Sequence, residues 1–299
     1  MNLAFFFEVL IGGLLAGVMY SLVALGFVLI YKASGVFNFA QGAMVFFAAL
    51  TFVSRTERGM NFWLALAVTL AVMVVLGIGI EKIVLRPLVN QPPITLFMAT
   101  IGLTFVLEGL SQIAWGSQPH GLELGVPDVP MEWLSQSTNV NISQFDLFAA
   151  GVSGLLVAVL AVFFQKTRIG RALRAVADDH QAALAVGIPL QHIWAIVWAV
   201  AGFVALVAGM IWGVRNGVQY ALTFVALKAL PVLILGGFES IPGAIVGGLI
   251  IGASEKLAEV YIGPMVGGGI ESWFAYVIAL LFLLVRPEGL FGEKHIDRV

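Results

Sequence analysis

The sequence predicts an all-α polytopic membrane protein, a bundle of about eight or nine transmembrane helices with one further short helix on the cytoplasmic side. Of its 299 residues, 60% are hydrophobic and only 11% are charged, and the mean hydropathy is +1.01. Soluble domains contain roughly 25% charged residues, so this composition indicates a membrane chain. Several apolar runs are long enough to cross a hydrocarbon layer of roughly 30 Å, and they lack the alternation typical of β-barrel strands.

Nine apolar runs follow one another along the chain, and each predicts a helix. They are residues 5–31, 37–53, 62–80, 94–115, 145–164, 193–212, 222–235, 241–258 and 274–285. Several of these runs, including 222–235 and 274–285, are shorter than the ~20 residues that a full crossing needs. Eight crossings with one broken or re-entrant segment are therefore an alternative to nine. No linker or shift in composition divides the chain, which predicts a single transmembrane domain over residues 1–299.

Lys and Arg predict the orientation, because basic residues in short loops remain preferentially in the cytoplasm. If all nine runs cross, one side receives ten basic residues and the opposite side receives Arg55, Arg58 and Arg215. The ten are Lys32, Lys82, Arg86, Lys166, Arg168, Arg171, Arg174, Arg286, Lys294 and Arg298. The N-terminus is therefore predicted to lie outside and the C-terminus in the cytoplasm.

Two connections are long enough to carry structure of their own. Residues 116–144 contain three acidic residues and neither Lys nor Arg, which predicts a periplasmic loop. Residues 165–192 are the most charged stretch of the chain, and the same rule predicts that they face the cytoplasm.

A short helix is predicted within the second connection. Asp178 fits an N-cap with Gln181 at the third helical position, and the alanines that follow favour a helix. Gly187 is suited to end this helix, and Pro189 cannot continue it. The predicted helix, residues 180–186, has a small, mostly alanine surface that would let a partner approach closely. A loop that packs on its own bundle is the alternative.

Sequence patterns of catalytic and metal sites are absent. The chain has no G-x-x-x-x-G-K-S/T loop and no G-x-S-x-G elbow, and its four His residues lack metal-ligand spacing. Cys is absent, which excludes thiol nucleophiles and thiolate metal sites. The net charge is -2 without a basic face, so no nucleic-acid partner is indicated. The sequence therefore predicts neither an enzyme nor a cofactor or metal site.

Ionisable residues inside the apolar runs are candidates for function, because a charge in hydrocarbon is costly. Glu108 lies in the fourth run with Gln112 one turn later, which predicts either a water-filled path or a hydrogen bond to a neighbouring helix. Lys228 precedes Pro231 in a short run, where a broken helix could open backbone groups to a cavity. Glu255 lies near the end of a run, where its side chain could reach water.

The stretch GVFNFAQGAM, residues 35–44, places two side-chain amides between strongly apolar runs. Asn38 and Gln41 are three residues apart, so they point to similar sides of a helix that begins near residue 37. Amides form hydrogen bonds without carrying a charge, so burying them costs less than burying a carboxylate. They could bond another helix or bind a polar solute, and bonding between helices is the favoured interpretation.

Three stretches of the sequence carry the motifs of one known family. The first, YSLVALGFVLIYKASGVFNFAQGAM at residues 20–44, contains an unaltered Asn-Phe-Ala-Gln-Gly core and resembles the N-terminal signature of the branched-chain amino acid type ABC-transporter permeases. GRALRAVADDHQAALAVGI, residues 170–188, is similar to the cytoplasmic coupling segment, and ALKALPVLILGGFESIPGAIVGGLIIG, residues 226–252, to the Gly-rich C-terminal motif. Ala226 and Glu239 depart from that last motif, in which the family usually has glycine.

The resemblance implies the permease subunit of an ABC importer in the bacterial inner membrane, which translocates branched-chain amino acids or a related small polar or amphipathic solute. It also implies two ATP-binding cassette ATPase subunits, a second permease that is related or identical, a periplasmic solute-binding protein and membrane lipid as partners. The short helix would dock in a groove of an ATPase through Asp178, Asp179, Ala182, Ala183 and Gly187. Candidate residues of the translocation pathway are Asn38, Gln41, Gly42, Glu108 and Lys228.

Two alternatives remain open at this point. A stand-alone secondary transporter or channel would use Glu108 and Lys228 as ion-coupling or selectivity groups. Within the family, the solute could also be urea, a short amide or an aromatic acid, because much of the selectivity in such importers resides in the separate binding protein.

Overall fold

The computed structural model describes residues 3–88, 91–138, 140–178 and 180–292. Within these ranges the chain is helical and forms no named strand, which confirms the predicted all-α fold. The α-helices are α1 (Leu3–Ser34), α2 (Gln41–Glu57), α3 (Phe62–Gly79), α4 (Pro93–Trp115), α5 (Glu132–Thr138), α6 (Gln144–Lys166), α7 (Arg168–Asp178), α8 (His180–Ala185), α9 (Leu190–Asn216), α10 (Val225–Gly236), α11 (Ile241–Tyr261), α12 (Gly263–Val266) and α13 (Glu271–Val285). A π-helical segment, Ile80–Leu85, extends α3, and 3₁₀ turns occupy Arg86–Leu88 and Tyr220–Phe224.

Eight of the nine predicted apolar runs lie on helical structure throughout. The run 37–53 does so only from Gln41, so the expected helix start near residue 37 is wrong and Asn38 precedes the helix. In the described part of the chain, six helical stretches are long and apolar enough to cross a membrane, namely Leu3–Ser34, Phe62–Leu88, Ile94–Trp115, Gln144–Lys166, Leu190–Asn216 and Ile241–Tyr261. Two shorter apolar stretches, Tyr220–Gly236 and Glu271–Val285, account for the short runs near the C-terminus. The remaining run forms α2, which has 17 residues and is mostly buried. The chain is a multi-pass membrane protein, and which of the nine runs cross stays a prediction.

The two long connections contain short helices. Residues 116–144 include α5, and residues 165–192 include α7 and α8. Their assignment to the outer and cytoplasmic sides stays a prediction. Two of the basic residues that support this orientation, Lys294 and Arg298, lie outside the described residues.

The chain divides into two compact units, each built from discontinuous stretches. The first comprises Met1–Leu25, Gly125–Ala158 and Leu227–Val299, and the second comprises Gly26–Leu124 and Val159–Ala226. The helices α1, α6 and α10 contribute residues to both units. The prediction of one domain over the whole chain stays a prediction.

Within the first unit, α1 and α11 approach each other closely where glycines lie on both helices. A Cβ atom on Gly13 would lie 2.7 Å from the carbonyl oxygen of Gly252, and a Cβ atom on Gly17 would collide with Gly248. Small residues allow such contact between the backbones of membrane helices. The helix α13 packs on α11 in the same unit.

Within the second unit, α9 packs along both α2 and α3. The contact is again close, because a Cβ atom on Gly77 of α3 would lie 2.7 Å from the carbonyl oxygen of Trp198 in α9. Trp198 itself is buried, whereas α3 and α4 leave large apolar side chains such as Val75 and Ile113 on the surface. Exposed apolar faces of this kind suit contact with lipid.

Candidate functional sites

The amides of the first motif lie where α2 begins, in the second unit. Asn38 Oδ1 accepts a hydrogen bond from the backbone N–H of Ala40 at 3.1 Å, which satisfies a donor at the start of the helix. Asn38 Nδ2 donates to Gln41 Oε1 at 3.2 Å, and Gln41 Nε2 donates to the carbonyl oxygen of Ala201 in α9 at 3.4 Å. Both amide side chains are fully buried. They therefore form a chain of hydrogen bonds that ties the start of α2 to α9.

Gly42 serves close packing in the same region. A Cβ atom at this position would collide with the carbonyl oxygen of Thr223 and lie 3.1 Å from the Cβ atom of Ala226. Glycine therefore allows α2 to contact the Tyr220–Phe224 turn. The three candidate pathway residues of the first motif all contact protein groups in the structure, and a role in solute passage stays a prediction.

Glu108 of α4 is buried and pairs with a residue that the sequence did not suggest. The hydroxyl of Tyr220 donates to Glu108 Oε2 at 3.3 Å, across 112 positions of sequence. Tyr220 is itself partly exposed, and Gln112, one turn after Glu108, is exposed. The polar face predicted on α4 therefore contains one buried carboxylate with a tyrosine partner and one exposed amide.

Lys228 lies at the centre of an ion-pair network in the first unit. Its ammonium group lies 3.2 Å from Glu255 Oε1 and 3.2 Å from Glu271 Oε1. Lys256 lies 3.2 Å from the second oxygen of Glu271, so Glu271 bridges the two lysines. The hydroxyl of Tyr20 donates to Glu255 Oε1 at 3.3 Å. The expectation that Glu255 reaches water is wrong, because its side chain is only 4% exposed and pairs with Lys228.

The network lies where one end of each of three helices meets the others. Lys228 is in the first turn of α10, Glu255 is in the last two turns of α11, and Glu271 is the first residue of α13. The opposite ends also meet, because the backbone N–H of Leu290, just after α13, donates to the carbonyl oxygen of Leu235 near the end of α10 at 2.8 Å. The helices α10, α11 and α13 therefore alternate in direction, with the charges at one end.

Among the predicted coupling residues, Gly187 ends α8 as expected. It has a φ of +83°, a conformation that favours glycine. Its N–H donates to the carbonyl oxygen of Leu184, and the N–H of Ile188 donates to that of Ala183, which is the pattern of a Schellman motif. Ala183 is buried and packs inward.

The outer surface of this segment is more apolar than its alanine content predicts. Leu184 is 54% exposed and Val186 is 75% exposed, and Ala182 is exposed beside them. Asp178 is the exposed last residue of α7, and Asp179 lies outside the described residues.

The helix α7 was missed by the sequence-based prediction, although its signal is local. Ile169, Leu173 and Val176 recur at the spacing of one helix face, between basic and acidic residues on the other faces. The guanidinium of Arg174 donates to the carbonyl oxygen of Phe164 at 2.7 Å, at the C-terminal end of α6. A cation there complements the carbonyl groups of the helix end, so α7 is anchored to α6.

A cavity of about 420 Å³ lies beside the coupling segment. Leu184 of α8 and Trp194 of α9 line it, together with Arg86 from the turn after the π-helical segment. Arg86 forms a two-point ion pair with the buried Glu81, at 3.0 and 3.2 Å. The cavity therefore lies between α8 and the end of the extended α3.

Among the described residues, no group of three or more His, Asp or Glu side chains is arranged to hold a metal ion.

Comparison with known proteins gives one consistent result. The family model described as the permease component of branched-chain amino acid transport systems matches residues 9–286. The chain is 27% identical to the high-affinity branched-chain amino acid transport system permease protein LivH of Escherichia coli, over 99% of this chain and 98% of that protein. It is 28% identical to the protein of the same description, BraD, of Pseudomonas aeruginosa, over 98% of both chains. The fructose import permease protein FruF of Bifidobacterium longum is 23% identical over 90% of this chain and 75% of that protein.

Proposed function

This chain belongs to the family of branched-chain amino acid transport permease components, and on that premise we propose that it is the membrane subunit of an ABC importer in which separate subunits hydrolyse ATP. The observation that carries the proposal is the exposed apolar surface formed by Leu184, in a short helix outside the candidate spans, and Val186, in the turn that follows it. Apolar side chains that project into water suit contact with a partner protein.

The solute is a branched-chain amino acid or a related small polar or amphipathic molecule. The descriptions of LivH and BraD support the amino acid class. The name of FruF shows that proteins with similar sequences include importers of a different solute. Urea, short amides and aromatic acids therefore remain alternatives to the amino acids.

The assembled importer contains two ATPase subunits, a second permease that is related or identical, and a periplasmic solute-binding protein. It lies in the inner membrane with the N-terminus outside and the C-terminus in the cytoplasm. The excess of basic residues on one side of the predicted spans supports this orientation. In this orientation α7 and α8 face the ATPase subunits.

Motion of α8 has a route through the second unit, to which α8 itself belongs. Gly187 and Pro189 connect α8 directly to α9. The indole N–H of Trp194 in α9 donates to the carbonyl oxygen of Ala33, at the end of α1, at 2.8 Å. Gln41 connects the start of α2 to the same helix, α9, through Ala201. ATP-driven closure of the ATPase pair would therefore bias α9 and the helices bonded to it toward one of two states.

The candidate residues have different places in this mechanism. Asp178, Asp179, Ala182, Ala183 and Gly187 belong to the segment that meets the ATPase. Asn38, Gln41 and Gly42 transmit or gate the motion at the start of α2, and Glu108 and Lys228 lie on the route of the solute.

The docking of α8 is tested by one substitution and a matched control. Val186→Glu places a charge on the exposed surface of the coupling segment without entering the core. Val129→Glu makes the same change at an exposed position of the predicted periplasmic loop. We expect Val186→Glu to reduce co-purification of the ATPase at least ten-fold and Val129→Glu to leave it unchanged. Equal recovery of the ATPase with both variants would overturn the proposed docking.

The alternative of a stand-alone transporter is favoured by one observation, the presence of Glu108 and Lys228 inside apolar helices. Solute accumulation by the purified chain alone, driven by an ion gradient and abolished by Glu108→Gln, would support it. ATP-dependent uptake that requires the other subunits would exclude it.

A further inference from the structure

The four charged residues around Lys228 form a set that is balanced in charge and open on one side. We name Lys228, Lys256, Glu255 and Glu271 the charge tetrad. Glu255 is 4% exposed and bonds Tyr20, so it anchors the tetrad in the interior. The side chains of Lys228, Lys256 and Glu271 are 34%, 38% and 31% exposed. The tetrad therefore has one buried carboxylate and an open edge of two ammonium groups and one carboxylate.

The open edge already holds a carboxylate between two cations. Glu271 Oε1 lies 3.2 Å from the ammonium of Lys228, and Glu271 Oε2 lies 3.2 Å from that of Lys256. Charge-assisted hydrogen bonds of this geometry would accept any small carboxylate in the same position. The backbone N–H of Glu271 donates to Glu259, so its main chain is fixed independently of its side chain. The side chain can therefore leave the lysines while α13 stays in place.

Partly exposed charges at the ends of apolar helices must face water or protein, because contact with hydrocarbon is costly. In the proposed orientation, the tetrad lies at the outer ends of α10, α11 and α13. A solute released by the periplasmic binding protein arrives from that side.

We propose that the open edge of the charge tetrad binds the α-carboxylate and α-ammonium groups of an amino acid as it enters the permease. The solute carboxylate takes the place of the Glu271 carboxylate between Lys228 and Lys256. Glu271, once released, binds the solute ammonium. The proposal rests on the proposed function, and it identifies the zwitterionic part of the solute as the part that this chain recognises.

The exchange discriminates by charge. A zwitterion brings one positive and one negative group, so every ion pair that it breaks is replaced and the net charge of the site is unchanged. A monoanion or a monocation leaves one charge of the site without a partner, and an unpaired charge in a partly buried site is strongly unfavourable. The tetrad therefore favours zwitterions over solutes of the same size with a single charge.

The test uses the complex as purified from membranes, placed in lipid nanodiscs without the binding protein. Leucine, leucinamide and 2-hydroxy-4-methylpentanoate are the probes, and saturation-transfer NMR with competition measures weak binding. They share one side chain and differ in charge. We expect leucine to bind at least ten-fold more tightly than either of the others. Equal binding of all three would overturn the proposal.

Two variants without a change in net charge separate recognition from folding. Lys256→Met with Glu271→Gln removes the exposed pair and leaves the buried Lys228–Glu255 pair intact, so the fold is preserved. Lys228→Met with Glu255→Gln removes both members of the buried pair, which leaves no unpaired charge in the interior. We expect each double variant to bind leucine at least ten-fold more weakly. Leucine binding that is unchanged in the first variant would overturn the proposal.

A matched control and a separate readout complete the experiment. Lys82→Met with Glu123→Gln makes the same chemical changes at two exposed positions outside the tetrad, and leucine binding should remain unchanged. An equal loss in this control would overturn the proposal. ATP-dependent leucine uptake by the wild-type importer is measured in parallel. If uptake is present but the tetrad variants bind leucine normally, the recognition proposal fails while the proposed function stands.

Discussion

The polar side chains inside the apolar helices differ in how much of their bonding capacity the protein itself uses. Asn38 and Gln41 are fully buried. They form hydrogen bonds with each other, with the backbone at the start of α2 and with α9. The tetrad around Lys228 is buried on the side of Glu255 and open on the side of Glu271. A fully bonded buried group contributes to the fold, whereas a partly open one is available to a ligand. The amides therefore suit a structural or gating role, and the tetrad suits recognition.

The buried hydrogen bonds of Asn38 lead us to expect that Asn38→Leu weakens the fold. Leucine has a similar size but cannot donate to Gln41 Oε1 or accept from Ala40. Each buried group left without a partner costs about 1–3 kcal/mol. We therefore expect a lower temperature of thermal unfolding and less assembled complex, whereas Asn216→Leu, at an exposed position, should change neither.

Uptake by each assembled Asn38→Leu complex separates the two roles of this residue. If Asn38 gates the route, Asn38→Leu lowers the uptake per assembled complex. If Asn38 is purely structural, the substitution leaves that uptake unchanged. Normal assembly together with normal uptake would contradict both roles.

Partners of these residues could not be predicted, although the residues themselves could. Glu108 and Lys228 stand out in the sequence because each interrupts an apolar run. Their partners are distant in sequence, with Tyr220 lying 112 positions from Glu108 and Glu271 lying 43 positions from Lys228. Such pairs depend on how the helices pack, and a single sequence carries no local signal for that packing.

At the scale of elements, the coupling segment illustrates what local sequence determines. The end of α8 was predicted correctly, because Gly187 and Pro189 act through their own backbone geometry. The apolar runs were also predicted as helices, because the length and composition of a run are local properties of the sequence. The division of residues 168–185 into two helices, α7 and α8, was missed, and so was the exposed surface of Leu184 and Val186. Exposure depends on tertiary packing.

We expect Gly187→Ala to impair coupling more than stability. Gly187 and Gly59 have similar φ values, +83° and +79°, and a Cβ atom at either would meet nothing within 4 Å. An L-residue in this conformation costs roughly 1–2 kcal/mol. Both alanine variants should therefore lose a similar amount of stability.

Solute uptake per ATP hydrolysed distinguishes the two glycine variants. We expect Gly187→Ala to lower it several-fold, because α8 would no longer end in a fixed direction, and Gly59→Ala to leave it unchanged. Measurements of ATPase activity and uptake on the same preparation provide the ratio. An equal ratio in both variants would contradict a coupling role for Gly187.

At the scale of the whole molecule, the chain combines a multi-pass helical fold with features that suit dependence on partners. The family match over residues 9–286 places it among permease components. Its sequence carries no P-loop for ATP. The helix α8 presents apolar groups outside the candidate spans, and α9 connects it to the helices that carry the first motif. We therefore propose that the energy for transport enters through α8 from other subunits.

Solute accumulation in proteoliposomes tests this claim most directly. Vesicles that contain the permease pair, the ATPase subunits and the binding protein are compared with vesicles that contain this chain alone. We expect accumulation against a gradient only in the complete system with ATP, and its loss with Val186→Glu. Uphill accumulation by this chain alone, driven by an ion gradient, would contradict it.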